Sequence, residues 1–312
     1  MHPALSIIIF TVSSGAGYGL MALTGVLAAA GLLPEGSLLG LAALSLSLAA
    51  IGLGLGSSTA HLGRPERAWR ALSQWRSSWL SREGVAAFLS LIPAGLLWLA
   101  LLLGGRAGAV APLGVAAAAL AVATVWCTAM IYRSLAPIRQ WHNPLVLPNY
   151  LALALMTGAL WLSALAALLG EDMRLPRWIA LAATAGAAVL KIAYWSAIDR
   201  AAPALTAADA TGLRGGAVRL FEAPHTEENY LLKEMGYRIA RKHAQRLRRI
   251  ALAASFALPF LLSAAALLIG VIVIPATLLA ALLGTAGVLV ERWLFFAEAK
   301  HTVTLYYGAG AV

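Results

Sequence analysis

One cysteine, Cys127, is all the chain contains. A lone thiol excludes an internal disulfide, a Cys-ligated iron-sulfur cluster and a zinc finger. Charge is also scarce: Asp, Glu, Lys and Arg make up 12% of the 312 residues, about half the share of a typical soluble domain. No run alternates apolar and polar residues as a membrane strand does, which argues against a β-barrel. Also missing are a Walker loop, a Gly-Xaa-Ser-Xaa-Gly elbow and a metal-spaced His/Glu motif on a helix. The histidines, His2, His61, His142, His225, His243 and His301, fall at the ends of apolar runs or in loops and tails. A b-type haem held across a bundle needs histidines facing each other inside spans, so no haem is expected in this chain.

Apolar length is what the sequence has in quantity, with 61% hydrophobic residues. A bilayer core of about 30 Å takes roughly 20 apolar residues at 1.5 Å rise per residue. Eight stretches qualify, at 5–30, 37–60, 83–103, 110–132, 147–169, 178–198, 250–272 and 275–296. The first has no Lys or Arg before it and is longer than a signal-peptide core, so it reads as a retained span although "LAAAG" has the look of a cleavage site. Short turns at Pro34 to Gly36, Gly104 to Gly108, Gly170 to Pro176 and Val273 to Pro275 imply antiparallel neighbours. The fold class is therefore all-α: a polytopic membrane protein built as a bundle of eight transmembrane helices. Residues 1–312 read as a single integral membrane domain with an interfacial segment 61–82 and an extramembrane loop 199–249.

Positive charge is distributed unevenly. Nineteen of the 23 Lys and Arg residues fall on the side that holds both termini, while Arg106, Arg174 and Arg177 fall on the other and Lys191 lies within a span. The positive-inside rule then predicts both termini and the 199–249 loop in the cytoplasm. In such a chain the net charge of +10 speaks for orientation and not for nucleic acid. Within the loop, "YLLKEMGYRIARKHAQRLRR" reads as a basic amphipathic helix with Leu231, Met235, Ile239 and Leu247 on one side. Contact with anionic lipid and docking of a soluble partner explain such a helix equally well.

Most polar residues outside that loop gather in "HLGRPERAWRALSQWRSSWLSREGV", His61 to Val85, which carries five arginines. Pro65 is placed to start a helix, and Ala68, Leu72, Trp75 and Trp79 follow at helical spacing. Belt tryptophans and lipid-phosphate contacts account for much of this stretch. His61 and Glu83 stand out because each marks the junction of a span with the interface. A helix cap and a first-turn acid are their structural explanations, and proton exchange with a quinone carbonyl is the functional one. Lys191 lies inside a span, with Trp195 one turn and Asp199 two turns on, and has either to snorkel or to find a carboxylate. Glu291 and Arg292 near the end of the last span read as an ion pair or as snorkelling side chains. The small residues of "SSGAGYG" and "GLGLGSS" favour close helix packing over room for a flat ring beside Tyr18. Ionisable residues within the spans are too few for a continuous proton wire across the membrane, so no pumping is expected.

At "HLGRPERAWRAL", "SSWLSREGV", "EENYLLKEMGYRIARKHA" and "FFAEAKHTVTLYY" the chain resembles the membrane anchor subunit of dimethyl sulfoxide reductase over nearly its whole length. The resemblance implies a three-part complex with a four-cluster iron-sulfur subunit and a molybdopterin catalytic subunit. It further implies an anchor without haem, itself not catalytic for the molybdenum substrate, that exchanges electrons with ubiquinone or menaquinone. The family's quinone-associated residues map onto His61 and Glu83, with Arg64 and Tyr18 beside them, and Arg67, Arg76 and Arg82 are expected to dock the partner. No residue is expected to be catalytic or to bind a metal. The setting is the inner membrane of a bacterium, with the partners on the cytoplasmic side. The "HTEENYLLKEMGYRIARKHA" loop is similar to that of the membrane subunit of quinone-reducing sulfite dehydrogenase, which favours sulfite oxidation over the reverse, quinol-oxidising direction. A secondary transporter with Lys191 and Glu291 on its substrate path, and a structural tether without a quinone site, are the alternatives from other classes.

Overall fold

The computed structural model describes residues 5–33, 38–60, 62, 64–104, 107–171, 174–201, 205–213, 218–219, 221–222, 241–307, 309 and 311–312. Among these, eight helices are long and apolar enough to cross a membrane. They are α1 (Leu5–Ala29), α2 (Leu39–Ala60), α3 (Trp79–Leu102), α4 (Ala107–Arg133), α5 (Val146–Leu168), α6 (Arg174–Arg200), α7 (Ala244–Leu268) and α8 (Val273–Ala297). The first residue of α1 and the last of α8 open on one side of the bundle, together with the α2–α3, α4–α5 and α6–α7 connections; we call this the terminal face.

The observed ends depart from the sequence reading where local chemistry intervenes. Helix α3 begins four residues early because Ser78 caps it, accepting a hydrogen bond from the Ser81 amide at 3.5 Å. Helix α7 extends back to Ala244 and takes in the end of the expected amphipathic helix, including Leu247, and a π turn at Leu252–Ala257 widens it. Leu231, Met235 and Ile239 lie outside the described residues. The turn expected at Val273 to Pro275 sits earlier, at Gly270–Ile272, and Pro275 falls in the first turn of α8, where a missing amide hydrogen costs nothing.

Packing contacts arrange the helices as two rings of four. Helices α1 to α4 each touch the next, with α4 returning to α1, and α5 to α8 repeat that order; α1 joins the rings chiefly by packing on α5 and α8, and α4 and α2 also touch α5. Lipid offers little hydrophobic drive between helices, so contact depends on backbones approaching closely. A Cβ on Gly19 of α1 would stand 1.8 Å from the Ala154 carbonyl oxygen of α5, and one on Gly158 of α5 would stand 2.3 Å from the Gly19 carbonyl carbon. Gly25 and Gly114 interlock α1 with α4 in the same way, and the Ser47 hydroxyl of α2 donates to the Gly17 carbonyl at 2.8 Å. In the small-residue motifs, Gly17, Gly19 and Gly54 therefore serve packing, while Gly52 and Gly56 face open space. The outer face of α3 shows Phe88, Leu89, Ile92, Leu96 and Leu99, an apolar stripe suited to acyl chains.

Candidate functional site

Glu83 sits in the second turn of α3 and is 5% exposed. The Thr128 hydroxyl of α4 donates to its Oε1. From α1 the Tyr18 hydroxyl approaches the same region, near Ser90 and Thr124 but in hydrogen-bond geometry with neither, so it is buried without a partner. Tyr18 and Thr128 line a small cavity whose wall also includes Tyr150 of α5 and Arg292 of α8. Its volume is about 20 Å³, room for about one water molecule. A quinone ring does not fit there; the carboxyl and the free hydroxyl suit its carbonyls only from a ring lying outside this space.

Beyond the cavity lies an ionic cluster that sequence reasoning saw only in pieces. Lys191 of α6 is 1% exposed and donates to Glu291 Oε1 of α8, so it neither snorkels nor pairs with Asp199. Arg292 lies 3.5 Å from the other Glu291 oxygen and stacks on Tyr150 with 3.7 Å from its guanidinium carbon to the ring centroid. Rings of Tyr194 and Trp195 stand 4.4 and 4.9 Å from the Lys191 nitrogen. Around this cluster Tyr132, Trp141, Tyr150, Phe295 and Phe296 pack edge to face or stacked, and the Trp141 indole donates to the Phe295 carbonyl at 3.0 Å. A lone lysine in α6 and a Glu-Arg pair in α8 at similar distances from the terminal face were the available signal.

Nearer the terminal face, Arg248 of α7 makes a two-pronged bond to Asp199 at 2.6 and 2.9 Å and another to Glu298 Oε1 at 2.6 Å. These side chains line an open recess of about 770 Å³ shared with Arg139, His142 and Lys300. Burial raises the Glu298 carboxyl above the usual carboxylate range against the pull of Arg248, and burial with Arg241 nearby lowers the His301 imidazole. Arg241 donates to the Ala297 and Ala299 carbonyls, both at 2.9 Å, and so closes the exposed end of α8. The chain end packs back here: Val312 donates to the Leu205 carbonyl at 3.0 Å, and a capping box of Thr206 with Asp209 starts the short helix Ala207–Thr211. The hydrogen bonds from Thr206 hold the Asp209 carboxyl below its usual range.

The arginine stretch forms a 3₁₀ helix, Pro65–Leu72, and a series of turns, not one continuous interfacial helix to Trp79. Ser81 fastens it by donating to the Ala71 carbonyl. Arg82 donates to the carbonyls of Trp75 at 2.9 Å and Arg76 at 2.7 Å and stacks on Trp79, which holds the turns against α3. Arg64, Arg67 and Arg76 are exposed, as are Trp69 and Trp75. Tyr18 and Glu83 are thus brought together, the arginines lie on the terminal face above them, and His61 lies outside the described residues. Among the described residues no three His, Cys, Asp or Glu side chains gather as a metal site.

Eight spanning helices with a buried acid beneath a basic face define a multi-pass membrane protein with a polar interior. The chain belongs to the DMSO reductase anchor subunit (DmsC) family, whose pattern matches residues 1–308. It is 34% identical to a subunit of sulfite dehydrogenase from Allochromatium vinosum over 333 aligned positions, which cover 98% of this chain and 99% of that one. The structure of bd oxidase from Geobacillus thermodenitrificans shares the fold with a TM-score of 0.60 at 13% identity, covering 99% of this chain and 90% of that chain.

Proposed function

We propose that this chain is the quinone-reactive membrane anchor of a complex with a four-cluster iron-sulfur subunit and a molybdopterin catalytic subunit. The observation that carries the reading is Glu83, a carboxyl buried at the terminal-face end of α3 beside Thr128 and the unpartnered Tyr18 hydroxyl. A quinone supplies two-electron, two-proton redox chemistry. Glu83 and His61 exchange protons with its carbonyls, Tyr18 and Arg64 orient it, and Arg67, Arg76 and Arg82 dock or shape the surface for the iron-sulfur partner. The positive-inside rule supports a cytoplasmic terminal face in a bacterial inner membrane, with the partners on that side. Likeness to a sulfite dehydrogenase protein supports electrons flowing from sulfite to quinone, and the family description supports the reverse flow in a reductase.

The test is quinone-linked turnover of the purified complex. Glu83→Gln and His61→Ala lower it about a hundredfold while all subunits still co-purify. Wild-type turnover in both variants rejects the site.

A further inference from the structure

Anchoring alone gives no reason for the buried Lys191–Glu291–Arg292 cluster, because packed apolar side chains in place of a buried ion pair are often neutral or stabilising. Its surroundings indicate another use. Among the described residues, the buried side-chain polar atoms without a hydrogen-bond partner include Tyr18 Oη, Tyr150 Oη, Glu291 Oε2, Trp195 Nε1 and Glu298 Oε2. Such atoms are ordinarily satisfied by internal water, and these five belong to a series of neighbouring side chains. From Glu83 the series passes through Thr128 to the water-sized cavity bounded by Tyr18, Tyr150 and Arg292. Arg292 meets Glu291 at 3.5 Å, and Glu291 holds Lys191. The Trp195 ring lies 4.9 Å from the Lys191 nitrogen and 5.3 Å from the Arg248 guanidinium, and Arg248 binds Glu298 on the wall of the recess.

We infer that this series is an internal proton route joining the recess on the terminal face to Glu83. It rests on the quinone reading above. Reduction of a quinone takes up a pair of electrons, supplied by the iron-sulfur partner, and a pair of protons; oxidation of the quinol releases both. A proton that enters at the Glu298 carboxylate moves through water to the Glu291–Lys191 pair, then through the cavity water and the Tyr150 hydroxyl to Thr128 and Glu83. At each hop one O–H or N–H bond breaks as the next forms, and the reverse sequence discharges protons. Glu83, Thr128, Tyr150, Lys191 and Glu291 all lie in the half of their helices nearest the terminal face, so the route links site and recess on one side and does not cross the membrane.

Tyr150→Phe and Glu298→Gln test it in the purified complex, assayed with sulfite and a short-chain ubiquinone, or with a short-chain menaquinol and dimethyl sulfoxide. Each variant slows quinone-linked turnover about tenfold or more and leaves turnover with a redox dye near wild type. Millimolar formate, a weak acid small enough to enter the recess, restores part of the loss in Glu298→Gln. Wild-type quinone-linked rates in both variants, alongside a slow Glu83→Gln, overturn the route and leave the quinone site standing. A Glu83→Gln complex at the wild-type rate overturns the site and the route together. Equal losses with dye and quinone, or a loss that formate does not lift, mark structural damage and overturn the route.

Discussion

Among the described residues, Glu291 is the carboxylate that pairs with both buried cations, Lys191 and Arg292, and this decides which substitution hurts most. Removing it leaves two positive charges facing each other away from water. Removing Lys191 leaves a one-to-one pair. Glu291→Gln therefore destabilises the folded chain by about 3–5 kcal/mol, the cost of stranding buried charge, and Lys191→Met by less than half of that; denaturant titration in mild detergent ranks the two, and the opposite order refutes this balance. The sequence suggested a Glu291–Arg292 pair and a lysine in need of a carboxylate, but it did not show that one carboxylate serves both cations. Lys191 and Glu291 stand one hundred positions apart, and no local periodicity couples them. Asp199, the acid two turns on from Lys191 in the same helix, is taken by Arg248 from α7. Glu83 was legible because its motif and its place at a span edge coincided.

Helix existence was legible almost completely, since a run of about 20 apolar residues has few other fates. Helix ends were less so, because they follow single contacts such as the Ser78 cap. The arginine stretch kept its Pro65 start, yet its helix stops at Leu72, and Arg82 folds back over the turns that follow. Small residues were legible as packing surfaces but not as individual contacts. Gly19→Ala drives a methyl into the Ala154 carbonyl and costs about 1–3 kcal/mol through overpacking. Gly52→Ala, on the same kind of helix but facing open space, is neutral or stabilises by about 0.5–1 kcal/mol because alanine favours helix. Thermal melting of the two variants in detergent separates close approach from helix propensity.

At the scale of the whole molecule, the repeated ring order of α1 to α4 and α5 to α8 was not legible, because it is carried by which helices touch and not by any repeated motif. The seam between the rings is made mainly by the faces that α1 turns to α5 and α8. Residues 1–134 and 135–312 expressed as separate chains are expected to co-purify as one species, and Gly158→Leu in the second chain is expected to abolish that capture. The same seam has a bearing on biogenesis. Helix α1 leaves the ribosome before α5, and the residues it meets at Ala154 and Gly158 follow more than a hundred positions later. Its glycine face therefore waits in the bilayer while its own ring closes around the opposite side. The α1–α5 seam closes only after the intervening helices have been made, and until then the small-residue face of α1 has no protein partner from the second ring.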